Sequence, residues 1–142
     1  MRALLDVNVV IALLDGDHAS HDRATSWFEA HASDGWASCP ITQNGCVRVM
    51  SHHAYPNALA PAMVIERLAE ATSGEFHRFV PDDISLLDRR VIDSTRIHGA
   101  RQLTDAYLLA LALHHGCQLV TFDAAVPRAA VVGAKPDSLL VL

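Results

Sequence analysis

Ala3-Leu4-Leu5-Asp6-Val7-Asn8-Val9-Val10-Ile11-Ala12-Leu13-Leu14 places two apolar elements end to end near the start of the chain. Ala3-Leu4-Leu5 has the length and character of a short buried strand. Val7 to Leu14 carries on as apolar turns of helix until Asp15-Gly16-Asp17 stops it. The same succession recurs downstream. Ser20 caps a helix in which Ala24, Trp27, Phe28 and His31 repeat at three-to-four spacing. Asp34-Gly35 then turns the chain into a second strand, Trp36-Ala37-Ser38, and Pro40 opens a helix reaching about Ser51. Residues 52–60 are loop, and Pro61 opens an amphipathic helix (Met63, Val64, Leu68, Ala71) that stops near Gly74. Phe79-Val80 before Pro81 is a third strand, and Ser85 begins a helix carrying Leu86, Leu87, Val91 and Ile92. Thr104 caps a helix from Asp105 to His115 that Gly116 ends in the C′ role. Gln118 to Phe122 is a β-rich run, and Leu139 to Leu142 supplies a final strand. Helices alternating with short apolar strands predict an α/β fold: one three-layer α/β/α domain over residues 1–142, its short central parallel sheet flanked by helices.

Composition sets outer limits on function. With 51% hydrophobic and 19% charged residues in 142, the chain can bury a continuous core and is not disordered. Its net charge of −5 argues against a nucleic-acid binder that works by bulk positive charge. Cys39, Cys46 and Cys117 form no C-x-x-C pair and leave an odd thiol, so a reducing, cytoplasmic setting is expected. Asp6 and Asn8 interrupt the first apolar stretch and no small-residue cleavage site follows, so no signal peptide is expected. No apolar run approaches the roughly 18 residues of a membrane span, and no membrane partner is expected.

Three aspartates occupy one kind of position. Asp6 directly follows the first strand, Asp123 directly follows Leu119-Val120-Thr121-Phe122, and Asp105 lies in the first turn of an apolar helix. Ligands of open parallel sheets bind beyond the carboxyl ends of the strands, and a helix N-terminus favours an anion. If the first strand and the Gln118–Phe122 strand are neighbours, all three acids face one crevice. Two carboxylates about 5 Å apart repel by roughly 3 kcal/mol at an effective dielectric near 20. Either one takes up a proton or a cation neutralises the group. An all-oxygen site open to water and phosphate suits Mg2+ or Mn2+, which supports metal-assisted hydrolysis of a phosphate ester. Taken singly, each aspartate could equally cap a helix or start a turn.

The ordered set resembles a known family. Leu4-Leu5-Asp6-Val7-Asn8-Val9, Thr104-Asp105-Ala106-Tyr107-Leu108-Leu109-Ala110 and Leu119-Val120-Thr121-Phe122-Asp123 are similar to the motifs of PIN-domain nucleases. More narrowly, they resemble VapC-type toxins of toxin–antitoxin pairs, over nearly the whole chain. The resemblance implies a PIN-like fold and a Mg2+-dependent endoribonuclease acting on RNA. It also implies inhibition by a cognate antitoxin protein and a homodimeric state. By carry-over, Asp6 and Asp105 are metal ligands and Asp123 completes the catalytic set. Asn8 and Thr121 are donors that orient those carboxylates. One segment departs from the pattern: the family usually has a glutamate on the helix after the second strand, where this chain offers Gln43-Asn44-Gly45. An amide adds no negative charge, which points to one metal rather than two. It also supports an alternative: a catalytically inactive PIN-like domain acting as a binding module or antitoxin decoy.

Other features have simpler explanations. His18 and His21 have a zinc-compatible i,i+3 spacing but no third ligand nearby in sequence. His114-His115 is a helix C-terminal pair, and Asp82-Asp83 before Ser85 is a helix-capping cluster. Trp27 and Phe28 are expected in the core or in a groove that receives the antitoxin. Asp6-Val7-Asn8 is not the D-x-D of aspartyl phosphatases, because Asn8 cannot act as the acid and Lys135 is the only lysine. Given the negative net charge, RNA attraction is assigned to a local patch of Arg48, His52, His53 and Arg101.

Overall fold

β1 (Ala3–Leu5) sits at the centre of a five-stranded sheet, with β2 (Trp36–Ser38) on one side and β4 (Gln118–Thr121) on the other. The outer strands are β3 (His77–Phe79) and β5 (Leu139–Val141), giving the order β3-β2-β1-β4-β5, and every pairing is parallel. The computed structural model describes all 142 residues. Five helices complete the fold: α1 (Val7–Leu14), α2 (His21–His31), α3 (Pro40–Ser51), α4 (Pro61–Thr72) and α5 (Leu103–His114). The expected α/β/α layering is what the structure shows.

Strand alternation sorts the core into two halves, because successive side chains leave a strand on opposite faces. Leu4, Ala37 and Leu119 face α5, where Leu108, Leu109 and Leu111 are fully buried. Ala3, Leu5, Trp36 and Val120 face the other way, onto Val9 and Val10 of α1, Cys46 and Met50 of α3, and Val64 and Leu68 of α4. A sheet covered on both sides needs apolar residues at consecutive positions, which explains Leu4-Leu5 and Leu119-Val120. Trp27 and Phe28 belong to the second half, Trp27 stacked on His31 and Phe28 edge-on to Trp36. All three cysteines are buried and free.

Three local expectations need correction. Ser85 to Ile92 is not a helix. The Ser85 hydroxyl and the Asp88 and Asp93 carboxylates each accept from the backbone N–H two residues on, at 3.1, 2.9 and 3.1 Å. Such side-chain turns compete with helical hydrogen bonding, and the apolar Ile92 pairs instead with Val131 in an isolated antiparallel bridge. The third strand begins two residues earlier than the apolar signal, at His77. There Trp36 pairs with His77, and Ser38 Oγ lies 2.8 Å from His77 Nε2, so polar residues fill an edge strand. Finally, α5 starts at Leu103 and Thr104 lies inside it, while Ser20 stands at its cap position without a side-chain bond. Gly116 does take the left-handed conformation that stops α5, at φ 66°.

The approach of α1 to α3 rests on one missing side chain. A β-carbon on Gly45 would stand 2.7 Å from Val7 Cγ2, inside van der Waals contact. Val7 is β-branched and stiff, and it follows Asp6 directly. Gly45→Ala should therefore destabilise the fold by about 1–2 kcal/mol, overpacking outweighing the helix preference of alanine. A lowered urea midpoint is the expected reading. An unchanged or raised midpoint would mean that α1 can yield.

Candidate active site

In the order β3-β2-β1-β4-β5 the chain leaves β1 toward β2 on one side and reaches β4 on the other. The crevice beyond the ends of β1 and β4 is thus a topological switch point, the usual ligand position in an open α/β sheet. Asp6 enters it as the residue between β1 and α1. Its extended backbone (φ −67°, ψ 157°) makes it the N-cap of α1, and its Oδ1 accepts from Val7 N–H at 2.7 Å. Its own N–H donates to Val120 carbonyl at 2.9 Å, fixing the turn to β4.

Thr121, the last residue of β4, joins the parts. Its buried hydroxyl donates to Asp6 Oδ2 at 2.7 Å and accepts from Asn8 Nδ2 at 3.1 Å and from Asp123 N–H at 3.0 Å. Asn8 Oδ1 in turn accepts from Phe122 N–H at 3.2 Å, and Asp123 Oδ1 accepts from Ala125 N–H at 2.7 Å. Residues more than a hundred positions apart in sequence are thereby set against each other. A carboxylate oxygen has two lone pairs, so each Asp6 oxygen keeps acceptor capacity after these bonds.

Asp105 reaches the same crevice from the first turn of α5. Burial, reinforced by the charges of Asp6 and Asp123, pushes its carboxyl up to about 6. Burial also raises Asp6, against the lowering effect of the Thr121 and Val7 hydrogen bonds, and Asp123 adds to the rise. The three acids therefore share one electrostatic environment. None is paired with a basic side chain, since the ion pairs of this chain lie at Asp83, Asp88 and Asp93. Uncompensated hard oxygen donors of this kind fit Mg2+ or Mn2+.

Other residues singled out in the sequence fall elsewhere. Gln43 Nε2 donates to Ser38 Oγ at 2.9 Å, while the exposed Asn44 lines a groove of about 570 Å3 between α3 and α4 with Arg48 and Ile65. Of the basic patch, Arg48 and His52 line one surface pocket. His52 and His53 stack on each other past the end of α3, about 18 Å of helix from Pro40, whereas Arg101 lies in the turn just before α5. His18 Nδ1 accepts from Ser20 N–H and His21 Nδ1 lies 2.7 Å from Ala12 carbonyl, and, as expected, neither ring joins a group of three metal-ligating side chains. Asp82 does cap a helix, though not the expected one: its Oδ2 accepts from Ile41 N–H of α3. Arg23 escaped the sequence reading. Its guanidinium stands 5.8 Å from the ring centroid of Phe122, the residue before Asp123, through a long-range contact with no local signature.

The PIN domain family model matches residues 3–132. Ribonuclease VapC44 of Mycobacterium tuberculosis (strain ATCC 25618 / H37Rv) is 51% identical over 142 residues, 100% of both chains. Ribonuclease VapC39 of the same strain is 43% identical over 134 residues, 94% of this chain and 96% of that one. Among solved structures, M. tuberculosis VapC20, described as a sarcin-ricin loop cleaving toxin, superposes with a TM-score of 0.60 at 17% identity, covering 94% of this chain and 99% of that one. VapBC2 from Rickettsia felis, bound to a DNA fragment from their promoter, gives a TM-score of 0.57 at 15% identity over 87% and 89%. These two structural likenesses concern the fold.

The raised carboxyl of Asp105 has a measurable cost. Its folded value of about 6 lies above the unfolded value near 3.9, so the folded state holds the proton more tightly. The stabilising contribution is complete below about pH 4 and is lost as pH rises through about 6. In EDTA at pH 7.5, Asp105→Asn should therefore be more stable than the parent, by on the order of 1 kcal/mol once solvent screening of this half-buried group is allowed for. Urea midpoints should converge toward pH 4; equal midpoints at both pH values would show that Asp105 is under no such strain.

Proposed function

This chain belongs to the PIN-domain family of VapC-type ribonucleases. From that premise we propose that it is the toxin of a toxin–antitoxin pair, a metal-dependent endoribonuclease that hydrolyses RNA phosphodiester bonds. The observation that carries the assignment is the gathering of Asp6, Asp105 and Asp123 at the sheet's switch point without a basic partner. In this reading Asp6 and Asp105 are the metal ligands, the ion is Mg2+ or Mn2+, and Asp123 completes the catalytic set.

A divalent cation in this pocket supplies Lewis-acid stabilisation of charge on the phosphate and lowers the pKa of water. The chain's own residues do the rest. Val7 N–H and the Thr121 hydroxyl fix the Asp6 carboxylate from both oxygens, so its open lone pairs have one orientation. Ala125 N–H holds one oxygen of Asp123, leaving the other to position a water for in-line attack. Attack on phosphorus breaks the bond to the 3′ oxygen, leaving 5′-phosphate and 3′-hydroxyl ends. Arg23 and Arg101, exposed near the rim, supply local attraction for phosphate. A single-stranded or looped RNA suits an open crevice better than a regular duplex.

The cognate antitoxin and a second copy of the chain are the proposed protein partners. No helix is long and apolar enough to cross a membrane. Gln43 and Asn44 add no negative charge, and the pocket is accordingly assigned one ion.

Incubation of the purified chain with mixed RNA tests this. Cleavage is expected with Mg2+, none with EDTA, and at least about a hundredfold less with Asp6→Asn. Equal cleavage in all three would overturn the mechanism. Silence under every condition, with antitoxin binding intact, would favour the decoy. In Mn2+ titration, Asp6→Asn should lose one ion per chain relative to the parent, and loss of two would enlist the amide segment.

A further inference from the structure

The opposite end of α5 holds a second convergence of ligand atoms, and it involves no residue of the carboxylate pocket. Asp83 Oδ1 lies 2.7 Å from His115 Nε2 and 3.8 Å from His114 Nε2, and the three ligand atoms fall within 4.8 Å of one another. We propose that Asp83, His114 and His115 form a surface site for a Zn2+-class transition-metal ion, tying the segment after β3 to the C-terminus of α5.

The local backbone makes the convergence. Neighbouring residues on a helix point about 100° apart, so adjacent histidines normally diverge. Here His114 is the last residue of α5 and His115 is its C-cap, with φ −97° and ψ 11° outside the helical region. That departure turns the second ring back on the first, with centroids 4.9 Å apart and planes at 89°. Arg78 donates to the His115 carbonyl at 2.8 Å and pins the cap. The Arg78 guanidinium is also aimed at Cys117 Sγ, not at the imidazole nitrogens.

A helix C-terminus paired with one carboxylate accounts for His115 alone. His114 makes no hydrogen bond of its own, and its Nε2 still aims at the same Asp83 oxygen. One cation among them makes all three groups ligands. Ligand atoms of a tetrahedral site with bonds near 2.1 Å stand about 3.4 Å apart, so an ion would replace the 2.7 Å Asp83–His115 hydrogen bond and draw His114 Nε2 in from 3.8 Å. Two imidazoles with one carboxylate favour zinc, copper or nickel over magnesium. The side chains of Asp83 and His114 are 43% and 51% exposed, so water completes the coordination.

The structural effect follows from where Asp83 sits. Asp82 is bound to α3 through Ile41 N–H, and Ile84 accepts from Tyr107 Oη of α5 at 3.2 Å. Between them, Asp83 would gain a metal tie to the far end of α5, steadying the path that leads to Arg101 and Asp105.

Zinc titration of the full chain in saturating Mg2+ tests the proposal. One zinc per chain is expected, with affinity in the micromolar range. His115→Ala and Asp83→Asn should each bind at least about tenfold more weakly, and His114→Ala should be weaker too. Zinc should raise the melting temperature of the parent and not that of His115→Ala, with circular dichroism confirming that each variant folds. Asp6→Asn should bind zinc as the parent does. No saturable binding by the parent, equal binding by all three site variants, or loss of binding in Asp6→Asn would overturn the site.

Discussion

The Thr121 hydroxyl has one proton to give, and it gives it to Asp6 in the interior. Three chain segments meet there: the end of β1 through Asp6, the first turn of α1 through Asn8, and the end of β4 with the turn to Asp123. A buried carboxylate without such a donor costs several kcal/mol or takes up a proton. The bond keeps Asp6 closer to its ionised form against the combined pull of burial and the Asp123 charge. Much of the architecture serves this arrangement. The parallel pairing of β1 with β4 sets the register, and the apolar layers on both faces hold the strand ends still.

The pocket is a stability liability by construction. Like charges gathered in partial burial oppose folding, and Asp105 carries the largest share of that opposition. The core compensates through consecutive buried leucines on α5 and fully buried β1 and β4 interiors. The acidity that seemed to argue against nucleic acid is therefore partly the site itself. A divalent cation there would reverse the local sign where phosphate must approach, so bulk charge is a poor guide to this chain.

Elements with a strong local signature were legible in the sequence. The run Ala3 to Leu14, the proline-led α3 and α4, and Gly116 each combine an apolar pattern with a backbone-specific residue, and the structure agrees closely. The carboxylate positions were legible because strand ends and helix starts are themselves local features. Long-range choices were not. His77-Arg78 is a strand because Trp36 and Ala37 pair with it, and Ser85 to Ile92 is irregular because its own side chains capture the backbone. The placing of Arg101 in the turn before α5 and the approach of Arg23 to Phe122 depend on packing that no window of sequence encodes.

The order of strands also sets a timetable for synthesis. Leu4 at the centre of the sheet pairs with Ala37 early in the chain, but its other neighbour, Leu119, is made near the end. Domains fold as their residues emerge, and contacts of large sequence separation form late. A nascent chain still lacking β4 has no Thr121, no Asp123 and an open flank beside β1. The three carboxylates cannot be brought together until the residues through Asp123 have been made.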